Sequence, residues 1–167
     1  DKVERQLAVF DGGPPDLGLV FSPVDTQDLD GRESRIIEVA PVPQGFNGMA
    51  RADALRSIYR ANFVVTASVL LRRDCFEALG PLDETIVGGA DDYEFWLRLG
   101  TSYSMRYLDH AAAVRRVHGD NYSANTERLV ADALVFAARI GRDNAELADL
   151  VEPKLAWLHS RLGSYHR

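Results

Sequence analysis

The residues with the clearest chemical potential lie between Gly80 and Arg98, in the stretch GPLDETIVGGADDYEFWLR. A glycine-rich loop there delivers two adjacent carboxylates, Asp91 and Asp92, into the first turn of a helix that carries Trp96 one turn later. A carboxylate beside a flat apolar ring suits removal of a proton from a sugar hydroxyl. Such a base works best when its pKa is raised toward the working pH. The neighbouring like charge raises it, and the helix N-terminus lowers it by favouring the anion. The sequence leaves that balance open. The same pattern also fits a capping role, in which one Asp accepts hydrogen bonds from the first helical N–H groups. Trp96 equally fits a place in the core.

His118, in VRRVHGDNYS, is the second candidate. It follows a predicted strand and opens a polar loop, where its ring could meet a phosphate oxygen or a metal, or simply make one surface hydrogen bond. Arg115 and Arg116 beside it suit phosphate, or the solvated edge of a strand. The acidic segment DTQDLDG fails as a calcium loop. Setting Asp30-Gly31 at the fifth and sixth places puts Thr26 first and Ile37 twelfth, where Asp and Glu are needed. A turn between strands is the expectation there. The chain has no glycine-rich phosphate loop and no nucleophile elbow, and His110 and His118 lack a zinc partner set.

The elements that must position these residues follow from pattern. KVERQLAVF places Val3, Leu7 and Phe10 at helical spacing, and Asp11-Gly12-Gly13-Pro14-Pro15 stops that helix. LGLVFSPV reads as a strand, TQDLDGR as a polar turn and RIIEVAPV as a second extended segment. Gln44 to Gly48 form a loop, and RADALRSIYR a short helix. NFVVTASVLLRR, almost continuously apolar, reads as a strand covered on both faces. DCFEALG gives a short helix closed by Gly80. The helix from Asp91 runs to about Leu99, and SMRYLDHAAAVRRVH forms a strand pair or one bent strand. Two amphipathic helices finish the chain, with Leu129, Val130, Ala133, Leu134 and Ala137 on one and Leu147, Leu150, Val151, Leu155, Leu158 and Leu162 on the other. Strands alternating with helices, then a helical tail, indicate an α/β arrangement.

At 167 residues, with 46% apolar and 26% charged residues, the chain can bury a proper core. A net charge of -6 with dispersed Lys and Arg argues against a nucleic-acid binder. Cys75 is the only cysteine, so no internal disulfide or multi-cysteine metal site exists and a reducing, cytoplasmic setting is expected. No apolar stretch approaches the ~20 residues of a transmembrane helix, so any membrane association would be peripheral. The chain opens on Asp1 within what reads as a helix already under way, so it is expected to be a piece of a longer protein.

Taken together, these segments resemble the C-terminal, acceptor-side half of a family 2 glycosyltransferase of the GT-A fold. KVERQLAVFDGGPPDLGLVFSPVDTQDLDG resembles the helix, strand and Asp-Gly turn that follow the family's DxD segment. NFVVTASVLLRRDCFEALGPLDETIVGGADDYEFWLRLG resembles its central strand, Arg-bearing turn, Phe-Asp-Glu element and Glu-Asp motif helix. VRRVHGDNYS resembles its Tyr-Arg-x-His segment. The resemblance implies a partial GT-A fold over residues 1–122, a mixed sheet with flanking helices, followed by a helical extension over residues 123–167. It implies transfer of a sugar from a nucleotide-diphospho-sugar donor to an acceptor hydroxyl, with inversion. Asp92 matches the family's base, and Asp91 stands where Glu is common. Trp96 matches a tryptophan beside the acceptor, and His118 a histidine near the donor diphosphate or its metal. Leu82 replaces the usual Phe before Asp83 and Glu84, a pair expected to be structural, and Val114 replaces the motif Tyr. The divalent cation, Mn or Mg, that neutralises the leaving diphosphate is held upstream in such enzymes, so no metal ligand is assigned here and the isolated chain is expected to be inactive.

The competing expectation is a non-catalytic interaction module whose terminal helices pack on a partner, a homodimer included, with Asp91 and Asp92 merely capping. A carboxylate-based glycoside hydrolase ranks last, because adjacent carboxylates on one turn cannot flank a glycosidic bond. The loops Gln44 to Met49 and Thr85 to Ala90 are expected to shape acceptor choice.

Overall fold

Asp1 opens the fold. Its carboxylate accepts from the Glu4 N–H at 2.9 Å while Glu4 reaches back to the Asp1 amine at 3.2 Å, a capping box that starts helix α1 (Lys2–Asp11). In the computed structural model, residues 1–32, 40–118 and 125–165 are described.

Strand β1 (Leu17–Phe21) is buried at every position, the signature of a strand covered on both faces. It pairs antiparallel with β3 (Leu70–Leu71) on one side and parallel with β4 (Ser104–Tyr107) on the other, giving a small mixed sheet. A Cβ at Gly18 would come within 2.9 Å of the Tyr103 side chain and 3.0 Å of the Cys75 sulfur, so only glycine fits there. Past Ser22 and Pro23 the chain continues as β2 (Val24–Gln27), which pairs in parallel with β5 (Ala113–Arg116). Thus β4 and β5 do not pair with each other, as one version of the sequence pattern had them. They run beside β1 and β2 in two separate sheets.

Two further expectations need correction. The polar turn begins later than TQDLDGR suggested, because Thr26 and Gln27 belong to β2; Asp28 Oδ1 then accepts from the N–H groups of Asp30 and Arg32. NFVVTASVLLRR is not one strand. Asn62 Oδ1 accepts from the Val64 N–H at 3.0 Å, and the Val65 carbonyl accepts from both the Ser68 N–H and the Ser68 hydroxyl. These local bonds wind Thr66–Ser68 into a 3-10 turn and leave only Leu70 and Leu71 for the sheet. Gln6 of α1 seals this turn by donating to the Ser68 carbonyl at 2.7 Å. The strand expected at RIIEVAPV has residues 35–39 outside the described residues.

Helix α2 (Arg51–Arg60) and α3 (Arg73–Leu79) match the sequence pattern, the latter closed by Gly80 at φ 80°. Helix α4 (Asp91–Gly100) follows, and α5 (Thr126–Asp143) and α6 (Ala148–Tyr165) form the expected terminal pair. Asn125 caps α5 by accepting from the Arg128 N–H at 3.1 Å. Leu55, Ile58 and Tyr59 of α2, Phe95, Leu97 and Leu99 of α4, Phe136 of α5 and Leu158 of α6 share one core with Leu19 and Phe21 of β1. Each such side chain contributes about 1.5–3 kcal/mol by its burial. The Tyr59 hydroxyl donates to the Ala137 carbonyl at 2.8 Å, and the Tyr93 hydroxyl lies 3.0 Å from the Ile58 carbonyl and 2.9 Å from that of Tyr59. The architecture is mixed α/β, a small mixed sheet with six α-helices among the described residues. None of those helices is long and apolar enough to cross a membrane.

Candidate functional site

A cleft of about 660 Å³ opens where the 61–67 segment, the start of α4, β5 and the two terminal helices meet. That volume suits a small-molecule ligand. The 61–67 segment supplies Asn62, Val65 and Thr66; α4 supplies Asp92 and Tyr93; β5 supplies Arg115. Leu129, Val130 and Ala133 of α5 form an apolar wall, and Lys154, Trp157 and Leu158 of α6 complete it. Gly89, at φ 97°, makes the turn that brings the loop onto the head of α4.

Asp92 is half-buried in this cleft. Its Oδ2 accepts a hydrogen bond from the Thr66 hydroxyl. Burial raises its pKa above the ordinary carboxylate value. The Thr66 hydroxyl and the Tyr93 N–H oppose that rise, the Asp91 charge adds to it, and Arg115 pulls against it. The competition left open by the sequence is therefore won by desolvation. Asp92 does not cap the helix, and neither does Asp91. The N-cap is Ala90, which has no side-chain cap; its N–H instead reaches Asp132 of α5 at 3.4 Å. The Asp92 carboxylate lies at the cleft with the Thr66 hydroxyl and the Tyr93 N–H as its donors.

The other expected site residues are placed differently. Asp91 is half-buried, does not line the cleft, and acts on Asp92 through its charge. Trp96 is only 4% exposed and sits in the core against Phe95, so it is not brought to the cleft. A spacing of four residues shares a helix face but not a depth: Asp92 sits at the helix mouth, Trp96 one turn further in. His118 is exposed beyond the end of β5 and is not among the cleft residues; Arg115, three residues earlier, is. Of the two loops expected to shape acceptor choice, Thr85 to Ala90 contributes Gly89 and Ala90. The Gln44 to Met49 loop instead packs on β4, where Asn47 bonds the Tyr107 N–H at 2.7 Å and its carbonyl at 2.8 Å.

Asp83 and Glu94 lie apart from the cleft, in a charged knot. Glu94, 2% exposed, accepts from Arg98 at 3.0 Å and Arg139 at 3.2 Å. Arg139 also meets Asp83 at 2.9 Å. The Thr85 hydroxyl, followed by Arg139, holds the Asp83 carboxyl down to about 2. With a further bond from Arg98 to the Leu79 carbonyl of α3, this knot ties α3, α4 and α5 together.

Sequence reasoning missed Lys154 and Trp157. Lys154 is 8% exposed, and Trp157, at 51%, covers the cleft from α6. The available signal was Lys154 itself, three residues after Val151 and four before Leu158 on a stripe that is otherwise apolar. Among the described residues, no three His, Cys, Asp or Glu side chains come together to hold a metal, so no step is assigned to one here. No model of a known protein family matches the chain, and a search of curated proteins finds no match.

Proposed function

We propose that this chain is the acceptor-side half of a glycosyltransferase that moves a sugar from a nucleotide-diphospho-sugar to an acceptor hydroxyl with inversion, on a partial GT-A fold. One observation carries the reading: a desolvated carboxylate, Asp92, with a raised pKa and the Thr66 hydroxyl beside it, lines a cleft of small-molecule size. Desolvation strengthens Asp92 as a proton acceptor, and the Thr66 hydroxyl fixes its orientation. Asp91 keeps its neighbour's proton affinity high by like charge. Trp96 supports the helix from within the core, and Trp157 takes the exposed aromatic position that Trp96 was expected to fill. On the β5 side of the cleft Arg115, rather than His118, supplies the cation. Carboxylates for a Mn or Mg ion belong upstream in this scheme; that ion would neutralise the leaving diphosphate.

The test is a nucleotide-diphosphate release assay with a panel of donors, on the protein carrying the coding sequence that precedes Asp1. Donor-dependent release that Asp92→Asn abolishes, with donor affinity retained, is the expected result. Unchanged turnover in Asp92→Asn contradicts the base assignment, and sugar transfer by the 167-residue chain alone contradicts its being half a site.

A second reading, an interaction module, draws on Val135 of α5, 68% exposed, and Trp157 of α6. Under it the chain forms a dimer or larger assembly through its terminal helices. Light scattering that returns a dimer lost on Val135→Glu favours this alternative.

A further inference from the structure

Two charged side chains are buried among the described residues, and they are treated in opposite ways. Glu94 is met by two arginines. Lys154 is met by no carboxylate among those residues. Its amine donates to the Arg60 carbonyl at 3.0 Å and lies 5.5 Å from the centre of the Tyr93 ring and 5.0 Å from that of Trp157. A carbonyl and two ring faces compensate an ammonium only in part. A buried charge without a counter-ion is costly, and such a cost persists where a ligand supplies the missing charge.

The surroundings name the ligand's sign. Lys154 lines the same cleft as Asp92, and so do Arg115, whose charge acts on Asp92, and Arg60, whose carbonyl holds the Lys154 amine, so the cleft's basic residues outnumber its one carboxylate. This concentration of positive charge occurs in a chain whose net charge is -6. The remaining wall, from Leu129, Val130 and Trp157, is apolar.

We propose that the cleft takes an acceptor carrying an acidic group of its own, a carboxylate or a phosphate, which pairs with Lys154 while the acceptor's apolar face packs on Trp157. The word acceptor rests on the transferase reading; recognition of an acidic ligand by Lys154 does not. The groups that face Lys154 are the Arg60 carbonyl of α2, the Tyr93 ring of α4 and Trp157 of α6, with Asp92, Arg60 and Arg115 elsewhere in the cleft. Burial lowers the Lys154 pKa to about 8, so the amine is charged at neutral pH and loses its proton under mildly alkaline conditions.

The test uses three sugars of one ring type: glucuronate, glucose 6-phosphate and neutral glucose. Binding to the 167-residue chain is followed through the Trp157 indole N–H resonance, assigned with Trp157→Phe. At least one acidic sugar is expected to bind about tenfold or more tightly than glucose at pH 7, and whichever does so names the acid. The preference falls as pH rises past 8, and it disappears in Lys154→Met while the rest of the spectrum is retained. Equal binding of glucose and both acids, or a preference that survives Lys154→Met, overturns the proposal. The two ideas fail separately. Acid binding at Lys154 with no donor-dependent nucleotide release by the longer protein removes the transferase reading alone, whereas donor-dependent release that Asp92→Asn abolishes, with no acid preference, removes this one alone.

Discussion

Replacing Lys154 by Met removes a buried charge that has no opposite partner among the described residues, and the effect depends on pH in a calculable way. The folded amine titrates at about 8 against an ordinary 10.5, and burial is the whole cause. Between those two values the unfolded chain holds a proton that the folded chain has released. Stability therefore rises with pH through this window, and the full desolvation cost is felt below it, where both states are charged. At about 1.4 kcal/mol per pH unit, the gap corresponds to about 3 kcal/mol. Met also forfeits the bond to the Arg60 carbonyl and the ring contacts, each worth about 1 kcal/mol, so its net gain at pH 7 is smaller. The pH dependence is the cleaner readout. Urea unfolding of both proteins at pH 7 and pH 9.5 should show the difference between them shift by about 2 kcal/mol in favour of the wild type at the higher pH. That shift corresponds to about 4–8 °C in Tm. Tyr59, Tyr93 and Tyr107, whose pKa values burial raises, are common to both proteins and cancel. A stability difference that does not change between the two pH values would mean the amine is solvated, and the reasoning about an unpaired buried cation would fail.

Two other substitutions probe separate parts of the account. Thr66→Val removes the hydroxyl donor to Asp92 and should move the Asp92 titration midpoint further up, at a cost of about 1–2 kcal/mol in stability; NMR titration and urea unfolding read the two effects. Glu94→Ala leaves Arg98 and Arg139 facing a buried hollow and should cost about 3–5 kcal/mol by denaturant unfolding, with the Trp157 environment unaltered in the fraction that stays folded.

The helices were legible in the sequence because their signals are local. Gly80 at positive φ closes α3, and apolar residues at helical spacing give α5 and α6. The segment 62–71 was illegible because Asn62 and Ser68 satisfy the backbone through side-chain bonds that apolar content does not reveal. The parallel pairing of β1 with β4 and of β2 with β5 joins residues more than eighty apart in sequence, so no local pattern encodes it. Asp92, which lines the cleft, was singled out from its place at a helix head after a glycine loop. Trp96 was misplaced because periodicity reports direction and not depth. Lys154 was overlooked because its position on an apolar stripe looked like an ordinary interruption by a long, flexible side chain.

The claim on which the account turns is that the Asp92 carboxylate is desolvated and ready to take a proton. A 13C titration of the aspartate side chains in the 167-residue chain, with Asp92→Asn to assign the signal, measures this directly. The account predicts a midpoint for Asp92 clearly above the ordinary aspartate value of 3.8, as burial demands. A midpoint at or below 3.8, as for a solvated aspartate stabilised by the head of a helix, would contradict it.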